Sequence, residues 1–343
     1  MRTRAAAITG VVVLAVTGSL VGCSADEVDP EPGTLPRPSQ EATPTVSAAP
    51  PTAPAATPPA APTTPPAKPP RADPDDVRAA TAMGAVRHLA GEIGPRPGTS
   101  RAYHRAADWV EARLTKLGWQ VRQQSFRAPA GFSVAGPTEG LPVRAGRSAN
   151  VIATRGDVVP GEPWLAVGAH LDTVPTSPGA EDNGSGVGAL LAVAEAVAGR
   201  RTRLPVVLIA FGAEEPRGEG DAHHHYGSRA YVASLTPAER RTLRGMVSMD
   251  RVGVGDAVPV SSVAEPDPLR AELLGAAERV GVPTLAETGQ KSSDHWSFVR
   301  EGLPGVRLGS TPSAGYHSAD DVAAVVVPRQ LARVARVVVS WLR

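Results

Sequence analysis

With 35 Lys and Arg against 34 Asp and Glu, the 343-residue chain is close to neutral, at a formal charge of +1. That balance, with only 4% aromatic residues, excludes the basic, aromatic-interleaved surfaces by which nucleic-acid binders are known. A single cysteine excludes any intramolecular disulfide, so the folded part must rest on its apolar core.

The first 22 residues place Arg2 and Arg4 ahead of an apolar stretch from Ala5 to Leu20 that is too short to span a bilayer. A basic start, a short apolar run and small residues before a cut make a secretory signal. The sequence Leu20-Val21-Gly22-Cys23 resembles the bacterial lipobox, which implies lipidation of Cys23, export and anchoring at the outer face of the cell membrane. From Ser24 to Ala72, 15 of 49 residues are proline and none is aromatic, so this segment cannot bury enough surface to fold. In polyproline II, at about 3.1 Å per residue, it makes a tether with a reach on the order of 150 Å. The chain thus divides into a signal at 1–22, lipidated Cys23 with a tether to 72, and a folded domain at 73–343.

Asp73 is placed to cap a helix starting at Pro74, with Asp75 and Asp76 in its acidic first turn. A second helix is expected over Ser100 to Leu117, with Tyr103, Ala106, Val110 and Leu114 on one face and Gly118 as its stop. Strands are expected at 120–126 and 150–154. Three further apolar runs each deliver a chemically useful residue: Trp164 to Ala169 ends at His170, Pro205 to Phe211 leads to Glu214 and Glu215, and Met246 to Met249 ends at Asp250. Helices near Gly184 to Ala198 and Pro328 to Leu342 complete the alternation. Alternating strands and helices over this length predict a single α/β domain with a central, mostly parallel or mixed sheet flanked by helices. In such sheets ligands gather in the crevice beyond the carboxyl ends of the strands, where these side chains would emerge together.

His170, Asp182, Glu214, Glu215, Asp250 and His317 are the candidate site. Histidine nitrogen and carboxylate oxygen suit hard or borderline divalent ions, and a two-ion site needs ligands on both ions and a carboxylate shared between them. Asp172, two residues after His170, can hydrogen-bond the other ring nitrogen and fix its tautomer. Asp182 lies in a turn-rich segment, Pro178 to Gly186, able to hold a carboxylate rigidly. Of the adjacent Glu214 and Glu215, one can bind metal while the other faces substrate as a base.

The set HLD, PGAEDNGSG, FGAEE, SMDRVG, SDHWSF and GYHSADD resembles the M28 family of zinc aminopeptidases and covers about Gly94 to Asp321. The resemblance implies that family's phosphorylase/hydrolase-like fold and two divalent ions, zinc first among them. One ion would be held by His170 and Asp250, the other by Glu215 and His317, with Asp182 bridging. It also implies Glu214 as general base and acid, Asp172 orienting His170, and Tyr316 donating to the oxyanion. The implied substrate is a peptide with a free N-terminus.

Three other readings bear on the same residues. HLDTVP also looks like the opening of M20 deacylases, but only 67 positions separate Asp250 from His317, too few for the lid domain those proteins carry there. Glutaminyl cyclases share the fold, yet show Asp-Asp-His and a Trp before the last ligand, where this chain has Ser293-Asp294-His295 and Tyr316. A noncatalytic binding ectodomain would have lost ligands, and none is missing. The chain departs from the family between Glu215 and Gly227, where 11 residues containing His223-His224-His225 replace a shorter link. A three-histidine run invites a third metal site, but consecutive histidines rarely converge on one ion, so the loop reads as a solvated rim; His295 reads as a structural or pocket residue and Trp296 as a pocket wall. Loops near Gly253 to Pro268 and Lys291 to Phe298 are expected to shape the pocket.

Overall fold

All seven residues of Trp164–His170 are buried, and so are all six of Val206–Phe211. Strands buried from both sides belong in the middle of a sheet covered on both faces, and these two pair there in parallel. The computed structural model describes residues 68–134, 136–309, 311–313 and 315–343. The signal segment, Cys23 and the tether as far as residue 67 lie outside the described residues.

In chain order the strands are β1 (Gln120–Ala128), β2 (Gly131–Phe132), β3 (Pro142–Val143), β4 (Gly146–Thr154), β5 (Trp164–His170), β6 (Val206–Phe211), β7 (Leu243–Met249), β8 (Val258–Ser261), β9 (Thr284–Glu287) and β10 (Gly305–Leu308). The α-helices are α1 (Ala79–Val86), α2 (Arg101–Lys116), α3 (Gly186–Ala196), α4 (Tyr226–Ser234), α5 (Pro237–Thr242), α6 (Pro268–Arg279), α7 (His295–Val299) and α8 (Pro328–Leu342). Eight strands form one sheet in the order β1-β4-β6-β5-β7-β10-β8-β9, and β2 and β3 make a separate ribbon. The four central strands β6, β5, β7 and β10 are parallel, whereas β4 and β8 run against their inner neighbours, so the sheet is mixed. From β5 the chain goes to β6 on one side and then crosses to β7 on the other. This reversal opens a crevice at the carboxyl end of β5.

Alternation along the strands builds two cores. Leu165, Val167 and Ala169 of β5, with Val206, Leu208 and Ala210 of β6, face a large cluster completed by α1, α3, α6 and α8. Their neighbours Trp164, Ala166, Val207, Ile209 and Phe211 face the opposite way, into a smaller cluster with Tyr231 of α4 and Phe298 of α7. Gly168 pairs with Ser248 across β5 and β7, and His170 with Phe211 across β5 and β6. Register therefore brings the three strand ends, and the residues just beyond them, to one level.

Helix α2 follows its expected span, with Ser100 Oγ accepting from Tyr103 N at 3.0 Å as its cap. Asp73 does cap, accepting from Asp75 N at 3.0 Å, but Pro74–Asp76 forms only a 3-10 turn. Val77 and Arg78 are extended, and the α-helix starts directly after them at Ala79. Ahead of Asp73, Ala72 is buried and its N–H donates to Arg201 O at 2.8 Å. No described helix is long and apolar enough to cross a membrane.

Candidate metal centre

His170 is the last residue of β5, Asp250 the first beyond β7, and Glu214 and Glu215 lie three and four residues beyond β6. Gly212 lets the chain leave β6 tightly: a β-carbon there would come within 2.3 Å of Tyr103 Oη and 2.6 Å of Ala149 O. The next residue, Ala213, turns through φ +50° and swings the two glutamates toward the crevice. Asp182 comes from the loop ahead of α3, and His317 from the segment after β10.

All six side chains meet. Asp182 lies between the two imidazoles, with Oδ1 3.1 Å from His170 Nε2 and Oδ2 3.2 Å from His317 Nε2. Each imidazole has a second carboxylate of its own: Asp250 Oδ1 is 3.6 Å from His170 Nε2, and Glu215 Oε2 is 3.2 Å from His317 Nε2. Glu214 Oε2 stands farther back, 4.0 Å from His170 Nε2. Tyr316 stacks on His317 beside them.

Polar groups fix the frame. The Asp172 carboxylate accepts the backbone N–H of Glu214 at 3.0 Å and of Glu215 at 3.2 Å. It lies 3.9 Å from His170 Nδ1, whereas the carbonyl of the same residue is at 3.2 Å. The carboxylate expected to orient His170 thus serves the two glutamates, because their amides point at it, and the main-chain oxygen takes the ring. The Asp182 loop is held from three sides. Asp321 accepts from Glu181 N and Asp182 N at 2.7 and 3.0 Å, Glu181 accepts from Gly253 N, and buried Arg96 donates to the carbonyls of Pro178 and Gly179 at 2.6 and 2.9 Å. Arg307 Nη2 sits 3.3 Å from Asp250 Oδ2.

Electrostatics match a cation cage. Burial pushes the Glu214 carboxyl up to about 8 and that of Glu215 to about 7, with neighbouring carboxylates adding to both. Burial alone would lower His317, yet Glu215 and Asp182 drive it up to about 11. His170 is raised in the same way by Glu214, Asp182 and Asp250. Carboxylates that draw protons onto two buried histidines will draw divalent cations more strongly, and imidazole and carboxylate are the donors such ions take. Glu215 Oε1 and His317 Nδ1 are buried without a hydrogen-bond partner. Ligand atoms of His170, Asp182 and Glu215, and separately of His170, Glu214 and Asp250, lie within 4.8 Å of one another. The residues fit divalent metal.

A cavity of about 640 Å³ opens in front of this cluster, walled by Tyr316, Arg251, Lys291, Trp296, Asp221 and His224. The 291–298 segment contributes to it, as expected. The 253–268 segment does not, since it turns away into β8. The triple-histidine loop is not a plain solvated rim: His223 is exposed, but His224 is half-buried and His225 is 3% exposed, with Nε2 3.1 Å from Glu214 Oε1. His295 is buried away from the cavity, with Nε2 3.0 Å from the Gln290 carbonyl. Sequence reading assigned no role to His225, Arg307, Arg96 or Asp321, although Asp321 closes the motif GYHSADD. For Arg307, a charged residue inside the apolar run Gly305 to Leu308 was the available signal.

Fold and site together define a mixed-sheet α/β protein with a buried histidine–carboxylate centre at the carboxyl ends of its parallel strands. The sequence profile of Peptidase family M28 matches residues 150–342, more than half of the chain, and the chain belongs to that family. It is 31% identical over 242 residues to Leupeptin-inactivating enzyme 1 of Streptomyces exfoliatus, covering 67% of this chain and 49% of that protein. It is 29% identical over 223 residues to a protein of Mycobacterium tuberculosis named as the probable lipoprotein aminopeptidase LpqL, covering 60% and 40%. The chain thus spans about half the length of the first relative and less of the second. Among solved structures it resembles BSAP, a zinc aminopeptidase from Bacillus subtilis, with TM-score 0.69 and 19% identity over 77% of this chain and 94% of that one. It also resembles the glutaminyl cyclase of Porphyromonas gingivalis, with TM-score 0.65 and 21% identity over 78% and 98%. At these identities the structural likeness is one of fold.

Proposed function

We propose that this protein is a zinc-dependent aminopeptidase that removes N-terminal residues from peptides, exported and held to the outer face of the membrane by a lipid on Cys23. The observation that carries the reading is the placement of Asp182, one oxygen toward each of two imidazoles that each have a further carboxylate. That pattern suits His170 and Asp250 as ligands of one ion, His317 and Glu215 of a second, and Asp182 between them. When bound, such ions would supply Lewis acidity and would lower the pKa of the attacking water toward 7.

The chain's own groups do the rest. Glu214, behind the cage and not needed as a ligand, takes the proton of the attacking water and passes it to the leaving amine. Tyr316, on the cavity wall, donates to the oxygen that gains charge in the tetrahedral state. Asp172 holds the amides of Glu214 and Glu215, which sets base and ligand at a fixed separation. Carboxylates lining the cavity favour the free ammonium end of a peptide over a blocked one. The anchor is supported by the Leu20-Val21-Gly22-Cys23 motif and by the likeness to a relative named as a lipoprotein.

Metal content measured with hydrolysis of aminoacyl-p-nitroanilides, their N-acetylated controls and glutaminyl substrates tests the enzyme. Two ions per chain and cleavage of free-amine substrates alone are expected. One ion with pyroglutamate formation would make the protein a cyclase, cleavage of blocked substrates a deacylase, and no metal with no turnover a binding protein. Cys23→Ser should move the protein from the membrane to the soluble fraction.

A further inference from the structure

The excursion between Glu215 and Gly227 is tied down along its length. Arg217 N–H donates to His223 O and His225 N–H to Glu214 O, each at 2.9 Å, which closes the loop at its base. Buried Arg217 fastens one flank to the carbonyls of Pro129 and Arg144, at 2.8 and 2.9 Å. Asp221 fastens the other, one oxygen accepting from Trp296 Nε1 and the second from Arg300 Nη1, each at 2.8 Å. A segment held at these points can place a side chain with precision.

His225 is the side chain so placed. Its backbone takes φ +59° at the start of α4, a left-handed conformation that glycine or asparagine adopts with less strain. Such strain persists where the surrounding structure over-determines it, often at functional sites. The imidazole is buried, and its Nε2 has no hydrogen-bond partner although Glu214 Oε1 lies 3.1 Å away. The terminal torsion of a glutamate is soft, so aligning the two costs little. Oε2 of the same carboxylate points the other way, to within 4.0 Å of His170 Nε2. Glu214 is therefore bracketed, one oxygen on the loop and one on the ligand cage. Burial disfavours the charged form of the His225 ring, and a neutral imidazole donates through one nitrogen.

We propose that His225 is a positioning residue for Glu214, engaging Oε1 so that Oε2 is presented to the ligand cage. The role rests on the aminopeptidase reading, in which Glu214 is the base. In this chain the extended loop replaces a plain connection with a group that acts on the catalytic carboxylate.

The test is a double-mutant cycle on the full-length, zinc-loaded protein with leucyl-p-nitroanilide. His225→Leu should lower kcat at least tenfold with KM within twofold and zinc content unchanged, and His225→Gln, which keeps a donor, should recover much of the loss. In a Glu214→Gln background, His225→Leu should add less than a twofold further loss, because the group it positions is already disabled. An undiminished kcat in His225→Leu, or a loss of equal size in both backgrounds, would overturn the proposal, since a purely structural loop acts regardless of Glu214. A wild-type protein that cleaves no free-amine substrate would remove the aminopeptidase reading and this role together. An active wild type with additive losses would remove only this role.

Discussion

The ring of Tyr316 lies on the imidazole of His317, centroids 3.8 Å apart and planes inclined by 21°. On the same ring the guanidinium of Arg251 sits 4.3 Å from the centroid. Arg251 reaches it from a left-handed backbone at φ +54° stabilised by Asn183 Oδ1, which accepts its N–H at 3.2 Å. The phenol is thus carried by a metal-ligand candidate and braced by a cation, so its hydroxyl can be removed without releasing the ring.

Tyr316→Phe should accordingly keep metal content and thermal stability while kcat falls on the order of 10²-fold, the typical cost of one oxyanion donor. Steady-state kinetics with zinc analysis on the same preparation decides it. An unchanged kcat would exclude the hydroxyl from transition-state stabilisation.

Glu214→Gln should retain fold and metal and lose about 10²- to 10⁴-fold in turnover, the usual contribution of a general acid–base group. The isosteric amide still fills the space between His225 and His170 but cannot take a proton. A near-normal rate would assign the base elsewhere.

Metal affinity should rise with pH between 6 and 8. In the metal-free cage His317 stays protonated up to about 11 and Glu215 up to about 7, and both must lose protons to become ligands. Protons therefore compete with metal at low pH, and each one displaced changes apparent affinity by about tenfold per pH unit. Calorimetry in buffers of different ionisation enthalpy should show proton release on zinc binding, and affinity independent of pH would contradict the cage's electrostatics.

Asp321→Asn should weaken zinc binding by about 10- to 100-fold, as loss of outer partners of ligating carboxylates does. Asp321 touches no candidate ligand atom, but its two oxygens take the amides of Glu181 and Asp182, and an amide side chain has only one oxygen to offer. Competition against a fluorescent chelator measures it, and an affinity equal to wild type would show that the loop is held sufficiently by Arg96.

The candidate centre was legible in sequence where apolar runs end on polar residues. β5 and β6 are buried throughout and β7 from Gly245 onward, so they stand out as apolar segments; His170 ends the first, Asp250 follows the last, and Glu214 and Glu215 come three and four residues beyond β6. Other features lacked a local signal. β8, β9 and β10 are four residues each, with β9 half exposed at the sheet edge, and no periodicity can establish itself in so short a run. Arg307 is explained by distant partners, chiefly Asp250, 57 positions earlier in the chain, and also Ser292. His225 is one of three consecutive histidines in the sequence, and only the fold shows its ring buried against Glu214. Asp73 carried a helix-start signal that the extended residues Val77 and Arg78 interrupted.

Asp172 recognises Glu214 and Glu215 by their amides and not by their side chains. The residues between Glu215 and His225 can therefore change in length and composition without moving the backbone from which the two carboxylates emerge. The anchorage lies upstream of the variable link, so that link is open to growth by insertion while the chemistry stays in place. A longer connection at this point becomes a low-risk site for acquiring new side chains over the cavity, and the segment ending in His225 occupies that position.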